Sequence, residues 1–135
     1  MKDRIIEKLK KIEEKENIQI IYAVESGSRA WGFAGTDSDY DVRFIYVRDL
    51  DYYLKLEDTR DVLEFPINDL LDISGWDISK TLKLAHSSNP SLYEWFNSPI
   101  IYIENDKKVI LVRTIVPYFI PNFYAVQAAI KSKKN

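Results

Sequence analysis

Hydrophobic and polar positions follow two different periods in the first fifty residues. Residues 2–16 carry apolar side chains three and four positions apart among lysines and glutamates, which predicts an amphipathic helix. The apolar face consists of Ile5, Ile6, Leu9 and Ile12. Residues 18–24 and 39–47 are rich in β-branched and aromatic side chains and predict two strands. Residues 29–38 contain glycine and serine and predict a loop or a short helix between these strands.

The following segments have shorter or weaker patterns. Residues 49–60 form a charged, tyrosine-rich connection, and residues 61–65 predict a short strand that Pro66 stops. Residues 67–76 have no clear period. Residues 78–87 predict a helix. Its expected inward side chains are Ile78, Leu82 and Ala85.

The last third begins with a helix-start signal. Asn89 before Pro90 predicts an N-cap followed by proline in the first turn. Residues 100–103 predict an extended segment, and an apolar, aromatic tail follows from about residue 109. This mixture of strands and helices predicts an α/β (α+β) fold, in which helices pack on a mixed β-sheet.

Composition favours one globular domain. The 135 residues are 46% hydrophobic and 30% charged, so the chain can bury a core. The formal net charge of −2 argues against a broad surface that coats nucleic-acid phosphates, although it allows a small basic pocket for one polyphosphate.

The residue types restrict the chemistry further. Cysteine is absent and His86 is the only histidine, which excludes disulfides, thiolate zinc sites and multi-histidine metal sites within one chain. Any bound metal must therefore be held by oxygen ligands. The sequence has no apolar stretch of about 18 residues and no signal-peptide pattern, so we expect a soluble, cytoplasmic protein without membrane contact.

Two carboxylates start the second predicted strand. Asp39 and Asp41 are two positions apart, and side chains alternate between the faces of a strand. Both should therefore project to the same side, where their repulsion favours a bound cation. Oxygen-only ligands of this kind suit Mg²⁺ or Mn²⁺.

A glycine–serine turn follows the first predicted strand. Gly27 allows a phosphate to approach the backbone closely, and Ser28 adds a hydroxyl and an N–H donor. A helix starting at this turn would add favourable potential for an anion, and Arg29 is placed to contact a phosphate. A metal that bridges carboxylates and a polyphosphate is a recurring device in phosphoryl and nucleotidyl transfer.

Two other motifs with similar spacing lack residues that they require. Gly27 and Gly32 have the P-loop spacing, but Phe33 stands where lysine is required. Asp37, Asp39 and Asp41 match the first half of an EF-hand loop, but Val42 then replaces the glycine and Arg48 the last glutamate.

The combined pattern resembles a known family. Gly-Ser, ten further residues and Asp-x-Asp are typical of the DNA-polymerase-β-like nucleotidyltransferase superfamily. The fuller strings Ser-Gly-Ser-Arg-Ala-Trp-Gly-Phe-Ala at 26–34 and Ser-Asp-Tyr-Asp-Val-Arg at 38–43 resemble its RNA-ligase-associated (RlaP) branch. Gly75-Trp76-Asp77-Ile78, Asn89-Pro90 and Glu94-Trp95 add to this likeness, which extends over residues 18–103.

The resemblance implies a mixed sheet with helices on one face. It also implies transfer of a nucleoside monophosphate from a triphosphate such as ATP to an acceptor hydroxyl. By resemblance, Gly27 and Ser28 bind the triphosphate, and Asp39 and Asp41 hold two Mg²⁺ ions. A later strand of the family supplies a third carboxylate, for which Asp77 is our candidate and Asp72 and Glu64 are alternatives.

The family pattern continues beyond this chain. Relatives have a helical C-terminal region, which we expect to be truncated or only begun at residues 109–135. Two other hypotheses therefore stay open. One is a non-catalytic nucleotide-binding or partner module, and the other is a minimal nucleotidyltransferase that modifies a partner protein, as in toxin–antitoxin pairs. The sequence leaves the base preference open, and the acceptor as RNA, protein or a small molecule.

Overall fold

The computed structural model describes residues 1–32, 35 and 39–107. The tail predicted from about residue 109 lies outside this part. The described elements are α1 (Lys2–Glu16), β1 (Gln19–Glu25), a 3₁₀ turn (Ser28–Trp31), β2 (Tyr40–Val47), α2 (Leu50–Tyr53), β3 (Val62–Glu64), β4 (Leu71–Asp77), α3 (Ile78–His86), α4 (Pro90–Phe96) and β5 (Ile101–Glu104). None of the described helices has the length and apolar character needed to cross a bilayer.

The five strands form one mixed sheet in the order β3-β4-β2-β1-β5. Strand β2 runs parallel to β4, and the other neighbouring pairs are antiparallel. The predicted fold class, a mixed sheet with helices packed on it, is confirmed. β4 lies in the segment without a clear period, where alternate residues from Leu71 to Asp77 are buried.

Helices cover both faces of the sheet. Helix α1 packs through Ile5, Leu9 and Ile12 in one core cluster, together with Phe44 of β2. Ile45, the next residue of β2, belongs to a second cluster that includes side chains of α3 and α4. The expectation of helices on one face is therefore wrong. Because β1 and β2 carry apolar side chains at consecutive positions, both of their faces must be covered.

Local capping explains where α3 and α4 begin. The Asp77 carboxylate accepts a hydrogen bond from the Ser79 amide at 2.9 Å, and the Asn89 side chain accepts one from the Leu92 amide at 3.0 Å. The predicted cap at Asn89 is confirmed. Leu82, expected to face inward, is 38% exposed. Thr81 is buried in its place, with its hydroxyl bonded to the carbonyl of residue 77.

Candidate active site

The predicted phosphate turn and the paired aspartates lie at the same edge of the sheet. Strand β1 ends at Glu25, directly before the turn, while its antiparallel neighbour β2 begins at Tyr40. Strand β4 is parallel to β2, so its first residues lie at this edge too. The pairing of three adjacent strands thus brings these segments together.

The turn touches the second aspartate directly. The Ser26 amide donates to the Asp41 carbonyl at 2.8 Å, and the Ser26 hydroxyl donates to the same oxygen at 3.3 Å. A Cβ atom added at Gly27 would lie 1.9 Å from Oδ2 of Asp41. Since Gly27 has an ordinary φ of −87°, glycine is required here for space and not for backbone conformation.

Asp72 on β4 is the acidic residue that the sheet brings next to Asp41. The two residues are direct partners in the parallel register, and Arg43 contacts both of their carboxylates. Burial raises the pKa of Asp41, and the charges of Asp72 and Asp39 raise it further, while Arg43 opposes them. Asp39, just before β2, is exposed. The carboxylates of Asp39, Asp41 and Asp72 therefore share this corner of the sheet.

Arg43 partly neutralises this corner. Its guanidinium lies 3.1 Å from Oδ2 of Asp72 and 4.0 Å from Oδ1 of Asp41. It also donates to the main-chain carbonyls of Val42 at 3.0 Å and Asp72 at 2.8 Å, which fixes its orientation. Arg43 was not among the predicted site residues. The strand period would have found it, because a residue two positions after Asp41 projects to the same face.

Asp77 lies too far from this corner to be the third carboxylate. It is five residues beyond Asp72 on β4, which corresponds to about 16 Å along a parallel strand. Its side chain is 1% exposed, caps α3 and accepts a hydrogen bond from the Tyr53 hydroxyl at 3.1 Å. Our choice of Asp77 is corrected to a structural role, the N-cap of α3.

The other alternative, Glu64, is also remote from Asp41. It is exposed on β3 and pairs with Ser74 of β4, so that β4 separates it from β2. Of the three acids considered for this place, Asp72 alone neighbours Asp41.

Arg29 and Ser28 lie in the 3₁₀ turn that follows Gly27. The Arg29 guanidinium stacks over the Tyr40 ring at 3.9 Å from its centroid, which holds it beside the first residue of β2. The turn comprises only four residues, Ser28–Trp31. A helix macrodipole therefore adds little potential for an anion here.

The donor set fits a divalent cation. Asp41 and Asp72 present adjacent carboxylate oxygens, the hard ligands that Mg²⁺ and Mn²⁺ prefer. The missing side chain at Gly27 lets the turn pack directly against Oδ2 of Asp41. In the described part of the chain, no three acidic or histidine side chains already have metal-ligand geometry. Binding a cation would therefore require the carboxylates to reorient around it.

Comparison with known proteins identifies a family and a relative. The profile of the RNA repair pathway DNA polymerase beta family (RlaP) matches residues 1–122. The uncharacterized protein YcgL of Bacillus subtilis (strain 168) is 61% identical over 104 residues, which is 77% of this chain and 40% of that protein. The chain thus spans well under half the length of this curated relative. No solved structure matches.

The family match agrees with the geometry. It extends over the turn at Gly27, Asp39 and Asp41 at the start of β2, and Asp72 on β4. The family assigned from the strings at 26–34 and 38–43 is therefore confirmed, and the chain belongs to the RNA repair pathway DNA polymerase beta family.

Proposed function

We propose that this chain is a nucleotidyltransferase. It transfers a nucleoside monophosphate from a Mg²⁺-bound nucleoside triphosphate to an acceptor hydroxyl and releases pyrophosphate. The observation that carries the proposal is the contact between the turn and the acids: Gly27 lies against Asp41, and Asp41 lies against Asp72. Membership of a polymerase-β-type family supports the reaction class.

Each residue of this corner has a role in the proposed reaction that follows from its chemistry. Gly27 allows the triphosphate to approach the backbone, Ser28 offers it backbone and hydroxyl donors, and Arg29 offers a cation. Asp39, Asp41 and Asp72 hold Mg²⁺, which neutralises phosphate charge when bound. Mn²⁺ has the same ligand preference and should substitute for it.

Asp72 also suits the acceptor side of the reaction. Its carboxylate stands beside Asp41 and is held by Arg43. In the proposed reaction it accepts the proton of the attacking hydroxyl at its carboxylate oxygen, while the new phosphodiester bond forms at the α-phosphate and the bond to pyrophosphate breaks. Arg43 keeps this carboxylate oriented toward Asp41.

Pyrophosphate release from Mg·ATP tests the proposal. We expect Asp41→Asn to reduce turnover about 100-fold or more, the scale typical of removing one group that stabilises developing charge. Asp77→Asn is the matched control, because asparagine also serves as an N-cap and residue 77 lies at the opposite end of β4. Equal turnover in wild type and Asp41→Asn, or an equal loss in Asp77→Asn, would refute the assignment.

A non-catalytic nucleotide-binding module is the second candidate. The ion pair between Arg43 and Asp72 at 3.1 Å favours it, because a cation must compete with this guanidinium for the carboxylate. Calorimetry with Mg·ATP separates the two functions. Binding without pyrophosphate release, with or without an acceptor, supports the module.

The acceptor is proposed from the family description. The term RNA repair favours an RNA terminus as the first acceptor to test. Labelled ATP incubated with RNA, with a cell lysate and with small hydroxyl compounds distinguishes the remaining classes. A labelled protein band in place of labelled RNA would indicate modification of a partner protein.

A further inference from the structure

Glu25 is a charged residue type at a fully buried position. It is the last residue of β1, directly before the glycine–serine turn, and its relative exposure is 0%. A carboxyl group in such a place is costly unless donors surround it. The donors that it has identify its role.

Three donors converge on the Glu25 carboxylate, and two of them are backbone amides of the proposed site. The Asp41 amide donates to Oε2 at 2.8 Å, and the Gly27 amide also hydrogen-bonds to this carboxylate. The Tyr102 hydroxyl donates to Oε1 at 2.8 Å. One side chain thus joins the turn, strand β2 and strand β5.

The main chain of Glu25 is fixed independently of its carboxylate. Its amide donates to the Ile100 carbonyl at 3.0 Å, and its carbonyl accepts a hydrogen bond from the Ser98 hydroxyl at 2.5 Å. Tyr102, which meets the carboxylate, is itself 8% exposed and belongs to the core. The anchor is therefore rigid, and movement between Gly27 and Asp41 is what the carboxylate restrains.

We propose that Glu25 is a positioning residue that fixes the phosphate turn to the metal-binding strand by accepting the amides of Gly27 and Asp41. This inference rests on the proposed function, because it assigns the two segments their roles. Glu25 itself does not touch the nucleotide. It acts by holding the backbone of Gly27 and Asp41 at the separation that a cation-bound triphosphate requires.

Substitutions that keep or remove the acceptor test this role. Glu25→Gln keeps one oxygen toward the amides, and its NH₂ group can donate to Tyr102, whose hydroxyl can donate or accept. Glu25→Met has similar length and no acceptor. Glu25→Asp keeps the charge but withdraws the carboxylate by about 1.5 Å, one carbon–carbon bond, and it carries the same test if Glu25→Met fails to fold.

Glu13 of α1 offers a matched control, because its carboxylate contacts the same strand as Glu25. Its carboxylate accepts the amide of Ile20 at 2.9 Å, at the other end of β1 from Glu25. Glu13→Met therefore removes a comparable carboxylate–amide bond without touching the turn. It should leave nucleotide affinity unchanged.

Two measurements are needed, and the first does not depend on activity. Amide hydrogen exchange by NMR should show at least tenfold faster exchange at Gly27 and Asp41 in Glu25→Met and Glu25→Asp, with Glu25→Gln near wild type. Calorimetry with Mg·ATP should show at least tenfold weaker binding in the same two variants. Wild-type affinity in Glu25→Met or Glu25→Asp would overturn the proposal, as would an equal loss in Glu25→Gln.

The two proposals fail in different ways. If the wild-type chain does not bind Mg·ATP, the proposed function is refuted and the functional role of Glu25 with it. If the wild type binds and Glu25→Met binds equally well, the function stands and the positioning role alone is refuted.

Discussion

Gly27→Ala is a one-carbon test of the candidate active site. The added Cβ would lie 1.9 Å from Oδ2, 2.8 Å from Cγ and 2.9 Å from Cβ of Asp41. The φ of residue 27 is −87°, so alanine adopts this backbone without strain. The whole effect of the substitution must then come from contact with the Asp41 side chain.

The size of the effect follows from the displacement. Oδ2 of Asp41 must retreat by about 1.5 Å to reach ordinary contact with the new methyl group. A misplacement of about 1 Å in a catalytic group typically costs about 100-fold in rate. Overpacking of this kind costs about 1–3 kcal/mol in stability, although Asp41 is 31% exposed and its carboxylate can turn toward solvent. We therefore expect a stability loss of about 1 kcal/mol, the lower end of this range. Turnover should fall about 100-fold or more.

Gly75→Ala is the control for the clash itself. A Cβ at Gly75 would meet the Phe44 ring at 2.2 Å, in the middle of the β2–β4 pair and away from the acids. Denaturant unfolding should show that this variant loses at least as much stability, about 1–3 kcal/mol. Its Mg·ATP affinity should be unchanged where it is folded. Wild-type pyrophosphate release in Gly27→Ala, or equal losses of binding in both variants, would refute the reasoning.

Three further predictions follow from single groups. Asp72→Asn should lower Mg²⁺-dependent pyrophosphate release about 100-fold. Asp77→Ala should lower the unfolding free energy by about 1–2 kcal/mol, because the helix cap is lost, and should leave Mg·ATP binding unchanged. The reverse pattern would identify Asp77 as the third carboxylate. Burial raises the pKa of Glu25 above its ordinary 4.5, so the native state holds this proton more tightly than the unfolded chain. The unfolding free energy without metal should then fall as pH rises from 4.5 through the raised pKa, and Glu25→Gln should reduce that slope, leaving the part due to Asp41; denaturant titrations across this range measure both. Tyr102→Phe removes one of three donors to Glu25. Its Mg·ATP affinity should stay within about threefold of wild type, since both backbone amides retain their acceptor. Calorimetry tests this, and a loss of affinity as large as that of Glu25→Met would contradict it.

The part of the site formed by the glycine–serine turn and the Asp39–Asp41 pair could be predicted, because it depends on local rules. Strand alternation makes Asp39 and Asp41 project together, and the glycine–serine turn ends the preceding strand. Because these two strands are antiparallel neighbours, the end of one meets the start of the other. This pairing and the sequence spacing together place Gly27 beside Asp41.

The third carboxylate depends on a pairing that spacing does not reveal. Asp72 and Asp77 lie on the same strand, and the register Asp41↔Asp72 decides which of them reaches the site. Residues 67–76 have no clear period because Gly75 and Trp76 interrupt the alternation that Leu71 and Ile73 begin. Asp77 was chosen beside Gly75-Trp76, but it directly precedes α3, where its side chain caps the helix.

Backbone pairing, more than the turn itself, organises this corner. Ser26 and Glu25 both bond to the backbone of Asp41, and Asp41 is in register with Asp72 across the next strand. Sites held by strands are more precise than sites held by loops, because each group inherits the rigidity of the ladder. The least constrained part is then the side chain of Asp39, which lies outside the strands and is exposed. Substitutions there should weaken binding gradually, whereas changes at Gly27, Asp41 or Asp72 alter the geometry on which a shared cation depends.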